Sequence, residues 1–368
     1  MAGRIVLFGA TGYTGRLTAE ALVARGAKPV LAARNAGSLS KLADELGGGL
    51  DTAVADVSQP ETVGALVSPG DVMLSTVGPF ARWGGPAIEA AIRAGAAYLD
   101  STGESTFIRR VFEYYGNLAT RTGSGLVTAF GYDWVPGNLA AGLALRDAGE
   151  AAERVAIGYY VTGDGLGGMS GGTQASAAGA MIDPSFAYRD GRLQTERGAR
   201  RVASFDVEGR RLQGISAGSS EHFALPQSYP HLREVDVYLG WFGPASRPIQ
   251  AFSAGLSAVT KVPGTRKAIS GALGKLVRGS TGGPGPEERA KGGSHIVAIA
   301  YGPDGEPLAS ARVAGADGYS FTGDILAWGA MTALEGGLNG RGALGPVEAF
   351  GLDELERGCA EAGIERVG

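Results

Sequence analysis

Short apolar runs alternate with longer amphipathic stretches over the first third of the chain. The runs fall at residues 5–8, 29–33, 52–55, 72–76, 97–99 and 126–129. Between them, residues 15–25, 38–46, 60–67, 86–94 and 106–122 carry apolar side chains at helical spacing. In the last of these, Phe107, Val111, Tyr114, Tyr115 and Leu118 recur on one helical face. Apolar runs without alternation predict strands buried on both faces, and helices of this length between them predict right-handed βαβ crossovers. The expected fold class is α/β, a doubly wound parallel Rossmann sheet.

The rhythm changes after residues 131–145. A helix over 138–145 leads to a longer strand at 154–162, a glycine-rich loop and a helix at 174–182. Further strands are expected at 200–206 and 234–241, and 295–301 with 307–313 flank Gly302-Pro303-Asp304-Gly305 as a hairpin. Antiparallel pairing of this kind predicts a second, α+β domain with a mixed or antiparallel sheet. Helical patterns return at 321–335 and 352–362. The expected organisation is a dinucleotide-binding domain over 1–150, completed by 320–368, and a substrate or dimerisation domain over 151–319.

Composition narrows the function classes. Of 368 residues, 44% are hydrophobic, which suffices for two cores, and 63 are glycine, more than twice the usual ~7%. A net charge of −4 disfavours a nucleic-acid partner. One cysteine excludes a disulfide framework, and three histidines (His222, His231, His295) without ligand spacing predict no metal site. The opening MAGRIVLFGATG enters a strand without the charged and apolar regions of a signal peptide, and no run of ~18 apolar residues predicts a membrane span. A cytoplasmic location is the expectation. Residues 261–291 carry seven Lys and Arg against Glu287 and Glu288, with Ile269, Leu273, Leu276 and Val277 at helical spacing. The ordinary reading is a solvated helix and connection; a lid or a peripheral membrane contact is the alternative.

Candidate chemistry begins at Gly9-Ala10-Thr11-Gly12-Tyr13-Thr14-Gly15, directly after the first strand. Gly9 permits the turn, Gly12 lets a pyrophosphate approach the backbone, and Gly15 lets the helix pack closely. The helix N-terminus offers N–H groups and a positive dipole end to phosphates. An NAD site would carry a carboxylate at the end of the second strand. Here Arg34-Asn35 stands there, and a guanidinium suits the 2′-phosphate of NADP(H). Asp56 ends the third strand, where it could accept from the adenine amino group or cap the next helical segment. Thr76-Val77-Gly78-Pro79-Phe80 ends the fourth strand, at the expected place of the nicotinamide ribose.

With these residues the chain resembles the saccharopine dehydrogenase-like oxidoreductases. The resemblance rests on GATGYTG at 9–15, AARN at 32–35, TVGPF at 76–80, YLDSTGE at 98–104, GYDWVPGNL at 131–139 and SGGT at 170–173. It continues through GPGPEER at 283–289 and GYSFTGD at 318–324, and within the family it is similar to the actinobacterial trans-acting enoyl reductases. The resemblance implies an NADP-binding Rossmann domain, to which the C-terminal segment returns, and a mixed sheet for substrate. It also implies an NADPH-dependent reductase in biosynthesis acting on a conjugated C=C. Saccharopine-reductase-type reduction of C=N and a non-catalytic NADP-binding sensor or scaffold remain the alternatives. The family motif usually reads closer to GFDSxPSD. Trp134 at its small polar position and Gly137-Asn138 for Ser-Asp point to an apolar or ring-bearing substrate rather than an amino acid.

Reduction also needs a group that protonates or stabilises the product anion. The short-chain dehydrogenase pair Tyr-x-x-x-Lys is absent from all 12 tyrosines. Tyr132, Asp133 and Ser170 are the catalytic candidates; capping is the alternative for Asp133 and for Ser170 with Thr173. Asp100 and Glu104 bracket a turn where they could orient the nicotinamide ribose or cap a helix. His222, beside Glu221 on a loop, reads as a surface histidine or a general acid, and Tyr319 as a proton donor or a packing residue. The substrate is expected to be a small molecule or a carrier-bound group, and the chain a possible homodimer.

Overall fold

The computed structural model describes residues 3–162, 184–259 and 282–368. Two units divide the chain: Met1–Gly103, Phe107–Val135 and Gly318–Gly363 form the first, and Glu104–Thr106, Pro136–Asp317 and Ile364–Gly368 the second.

In the first unit the apolar runs become β1 (Ile5–Phe8), β2 (Val30–Ala33), β3 (Thr52–Val54), β4 (Val72–Ser75), β5 (Ala97–Asp100) and β6 (Gly125–Val127). A two-residue strand from far along the chain, β15 (Gly342–Ala343), completes a seven-stranded sheet in the order β15-β6-β5-β4-β1-β2-β3. Every pairing is parallel. This is the doubly wound α/β sheet, with the strand order reversing beside β1. Residues of β1, β2 and β4 are buried throughout, which accounts for a sequence that is apolar up to Ser75 at the end of β4. Edge strand β3 exposes Thr52 and Val54 and keeps only Ala53 partly covered.

Helices α1 (Tyr13–Ala24), α2 (Ala36–Glu45), α3 (Pro60–Gly64), α4 (Phe80–Trp83) and α5 (Gly85–Ala94) lie between these strands. One sheet face packs Val6, Phe8, Met73 and Tyr98 against Ile88, Phe107 and Val111. The periodic stretch after β5 is α6 (Ser105–Arg110) and α7 (Gly116–Thr122), joined by a π-helical turn, Val111–Tyr115. There Gly116 lies against β15: a Cβ on it would stand 2.9 Å from the Ala343 Cβ.

The second unit takes in most of α8 (Val135–Ala148) and holds nine strands among the described residues. They are β7 (Arg154–Thr162), β8 (Pro184–Arg189), β9 (Arg192–Arg197), β10 (Val202–Val207), β11 (Arg210–Ser216), β12 (Glu234–Leu239), β13 (Gly293–Tyr301), β14 (Pro307–Gly315) and β16 (Ile364–Arg366). The main path is β10-β11-β12-β7-β13-β14-β16, with β8 pairing β12 and β9. Among the described residues only β12 and β7 pair in parallel, so the sheet is mixed. The hairpin expected around Pro303-Asp304-Gly305 is present as β13–β14. Two more turn on Asp190-Gly191 and Glu208-Gly209, each with both residues at positive φ, the two-residue geometry that suits strand twist. Beyond the strands come α9 (Glu221–Ser228), α10 (Ser246–Val259) and α11 (Pro286–Arg289).

The chain re-enters the first unit through α12 (Gly318–Gly336), then α13 (Pro346–Phe350) and α14 (Leu352–Glu361). Helix α12 packs on α1, and Gly323 makes that closeness possible: a Cβ there would stand 3.0 Å from the Leu17 Cβ. No helix among the described residues is long and apolar enough to cross a membrane.

Candidate cofactor edge and proton donor

Parallel strands bring their carboxyl ends to one edge of the first unit, and ligands of such sheets bind there. After β1 the chain turns through Gly9 at φ +93. A Cβ on Gly15 would stand 2.1 Å from the Gly9 carbonyl oxygen, so α1 packs against this turn only without a side chain. Thr76, at the end of β4, closes the turn from the other side, its Oγ1 donating to the Phe8 and Gly9 carbonyls at 3.3 and 3.2 Å. Gly12 is the N-cap of α1 and supplies no side-chain acceptor. The first amides of a twelve-residue helix therefore face an edge built for an anion, with Thr11 and Gly12 exposed beside them. The fold thus brings Gly9, Thr11, Gly12, Thr14, Gly15 and Thr76 together as the sequence spacing required. The Tyr13 ring meets that of Tyr319 edge-on at 5.2 Å, giving Tyr319 its packing role.

Arg34 is exposed at the end of β2 and forms no ion pair among the described residues. Asn35 caps α2, its Oδ1 accepting from the Ser38 amide at 2.8 Å, which leaves its Nδ2 for a ligand. Asp56 turns its carboxylate onto its own loop, accepting from the Ser58 amide and hydroxyl at 2.8 Å each. Those bonds, and more weakly the Arg34 charge, hold it below the ordinary carboxylate range. After β4, Gly78 and Pro79 are exposed. Phe80 turns inward, its ring 5.6 Å from that of Phe107, so only its backbone remains at the edge.

The loop after β6 carries a strongly shifted carboxyl. Asp133 sits on it between the buried Tyr132 and Trp134. Its Oδ1 is shut off from solvent and has no hydrogen-bond partner. Gly103 abuts the other oxygen: a Cβ on Gly103 would stand 2.6 Å from Asp133 Oδ2. Burial pushes this carboxyl up to about 7. It therefore keeps a proton over much of the range between pH 4 and 7 in which an ordinary aspartate has lost it. The Tyr132 amide is fixed by Thr322 Oγ1 at 3.0 Å.

Two expectations need correction. Asp100 does not reach outward to a ribose: it is wholly buried, with Thr102 N, Ala129 N and Thr128 Oγ1 donating to it at 2.9, 3.0 and 2.8 Å. Burial raises it to about 6, and these donors hold it back from rising further. His222 is not on a surface loop. It lies in the first turn of α9, 2% exposed, with Nδ1 3.0 Å from Ser219 Oγ, and burial lowers it to about 4. It stays neutral and is no general acid at physiological pH. Sequence reading missed both because a polar residue in a turn-rich stretch looks exposed until long-range packing covers it.

In the second unit, Gly137 explains one departure from the family motif. A Cβ there would stand 2.1 Å from the Tyr159 hydroxyl, which accepts from the Gly137 amide at 2.8 Å and donates to Glu221 Oε1 at 2.7 Å. Ser170 and Thr173, the helix expected at 174–182, and the basic stretch up to residue 281 lie outside the described residues. Among the described residues no group of His, Cys, Asp and Glu could hold a metal ion.

Comparison with known proteins agrees with this edge. Residues 5–129 match the NADP-binding domain of saccharopine dehydrogenase. A Mycobacterium tuberculosis protein named "Putative trans-acting enoyl reductase" is 32% identical over 280 residues, 70% of this chain and 67% of that protein. The trans-acting enoyl reductase of Mycobacterium ulcerans is 35% identical over 216 residues, 56% of this chain and 47% of that one. The saccharopine dehydrogenase (L-Glu forming) of Saccharomyces cerevisiae matches in fold over 100% of this chain and 99% of its own, with a TM-score of 0.59 and 12% identity. A glycine cradle, an uncapped helix start and an exposed arginine after β2 fit the cofactor of that domain. The chain belongs to the saccharopine dehydrogenase-like NADP(H)-binding oxidoreductases, alongside the relatives named trans-acting enoyl reductases.

Proposed function

We propose that the protein is an NADPH-dependent reductase of a conjugated C=C bond, with the Asp133 carboxyl as proton donor. The observation that carries this reading is the half-buried Asp133, whose Oδ1 is shut off from solvent without a partner and whose carboxyl is raised to about 7, on the loop that leaves β6 at the cofactor edge. NADPH bound along that edge supplies the hydride equivalent for the carbon β to a carbonyl. Gly9, Thr11, Gly12, Tyr13, Thr14 and Gly15 would hold its pyrophosphate through backbone amides, and Arg34 with Asn35 its 2′-phosphate. Asp56 would stand beside the adenine. Thr76, Val77, Gly78, Pro79 and the Phe80 backbone would line the nicotinamide ribose. Asp133 gives its proton to the enolate carbon α to the carbonyl, and the carboxylate left behind regains one from water. Tyr132 packs beside the donor and shields it from bulk water. The substrate is a small enoyl compound or an enoyl group on a carrier; the names of the relatives favour the enoyl class.

The test is NADPH oxidation with crotonyl-CoA, longer trans-2-enoyl thioesters and simple enones, against cyclic imines as the contrasting panel. Turnover on the enoyl panel is expected, with Asp133→Asn lowering kcat by about 10²–10⁴ and leaving NADPH affinity nearly intact. Turnover on imines alone, or NADPH binding without turnover on either panel, would overturn the assignment. For wild type, kcat should fall about tenfold per pH unit above ~7 as the donor loses its proton. A flat profile from pH 6 to 9 would remove Asp133 from the role.

A further inference from the structure

Asp100 ends β5, and its carboxyl does more than close a local turn. A local turn needs only the bond from Thr102 N to Oδ1, at 2.9 Å. Two further donors come from 28 and 29 residues along the chain: Thr128 Oγ1 to Oδ2 at 2.8 Å, and Ala129 N to Oδ1 at 3.0 Å. The Asp100 carbonyl also accepts from Phe130 N at 2.7 Å. One buried residue thereby holds both the loop leaving β5 and the loop leaving β6.

Both loops converge on Asp133. The first brings Gly103 against Asp133 Oδ2, close enough that a Cβ would stand 2.6 Å away. The second carries Asp133 itself, and it starts from Ala129 at φ +58, a backbone conformation that an alanine keeps only when its surroundings impose it. The Asp100 bond to the Ala129 amide is one such restraint. The Ala129 carbonyl, accepting from Trp134 N at 2.9 Å, passes it on to the residue after Asp133.

We propose that Asp100 is the positioning residue of this site: by clamping the two loops it fixes where the Asp133 carboxyl stands. The catalytic consequence rests on Asp133 being the proton donor; the placement itself does not. Asp100 touches neither substrate nor cofactor in this role. Burial alone raises the Asp133 carboxyl, with no charged side chain contributing among the described residues, and the ionisable neighbour of Asp100 is Tyr98. Loosening the clamp should therefore let water reach Asp133 and bring its titration back toward that of an ordinary aspartate.

The experiment tracks the Asp133 carboxyl carbon by NMR titration in the full chain, with NADPH affinity and kcat on crotonyl-CoA measured beside it. Asp100→Ala should move the Asp133 midpoint down by more than about one unit, whereas Asp100→Asn, which retains the Oδ1 acceptor, restores most of the shift. If Asp100→Ala fails to fold, Thr128→Val removes the Oδ2 bond alone, and Gly103→Ala presses directly on Asp133 Oδ2; each should move the midpoint. A wild-type Asp133 titration in folded Asp100→Ala, or in both milder variants, would overturn the proposal. In an Asp133→Asn background Asp100→Ala should cost no further kcat, while an equal loss in both backgrounds would leave Asp100 a merely structural role. Full activity of Asp133→Asn would instead sink the donor reading, and the titration would still decide the placement.

Discussion

Arg34 and Asp133 are the two residues on which the proposed chemistry most depends. Exposed at the end of β2, Arg34 stands where an NAD enzyme would keep a carboxylate. Arg34→Asp should weaken NADPH binding by roughly tenfold or more, at about 1.5–3 kcal/mol for a charged hydrogen bond, and bring NADH toward parity. Titration with both cofactors checks this, and an unchanged preference would refute it. Asp133 and Asp100 also link folding to pH. Both stand above their ordinary 3.8, at about 7 and about 6, so the unfolded chain loses these protons first. The stability they confer is complete below pH ~4 and is lost as pH rises through those folded-state values. Asp133→Asn should therefore match wild type at pH 4 and exceed it by a few kcal/mol at pH 8, at ~1.4 kcal/mol for each pKa unit. Tm measured across that range tests the sign; a wild type more stable at pH 8 than the variant would contradict it. The turn built on Gly9 and Gly15 and the position of Arg34 after β2 were legible in sequence because local spacing alone fixes where they stand. The character of Asp133, Asp100 and His222 was not, since each depends on residues far along the chain that exclude water.

At the scale of elements, β1 and β2 of the first unit announced themselves because every position in them is buried and apolar. The second unit hid more. Hairpins β8–β9 and β10–β11 carry Arg and Glu on half-covered faces, and of their four strands only β10 was expected, at 200–206. Those charges form a network. Arg189 pairs with Glu234 at 2.6 Å and with Asp236, Arg154 approaches Asp236 at 3.4 Å, and Arg201 pairs with Glu196 at 2.6 Å and approaches Asp236 at 3.4 Å. Asp236 is 1% exposed, so three guanidinium groups share a carboxylate that water does not reach. Asp236→Asn would leave them without their common counter-charge, at a cost of about 3–5 kcal/mol. A lower urea midpoint is expected; an unchanged midpoint would mean that the network sets strand pairing without stabilising it. The π-helical turn had no sequence signal either. Its apolar spacing is that of an ordinary helix, and only the fit of Gly116 against Ala343 marks the place.

Across the whole molecule, the return of the chain completes both units. The helical patterns beyond residue 320 were readable, but the two short strands among them were not, because two or three residues are too few for any periodicity. Strand β15 pairs with β6 in the parallel sheet, and β16 pairs with β14 in the mixed one. A chain stopped after Arg341 lacks both. It should bind NADPH more weakly and unfold at lower urea than the full chain, and proteolysis should open both units. Full NADPH affinity with an unchanged midpoint would show that the closing strands are dispensable. The same two strands bear on how the protein is made. During synthesis the first six strands leave the ribosome more than 200 residues before β15, and β14 leaves about 50 residues before β16. Neither sheet can be finished until these late residues have emerged. The open flank of β6 must therefore be protected through most of translation, and sheet closure is among the last steps by which the nascent polypeptide reaches its final form.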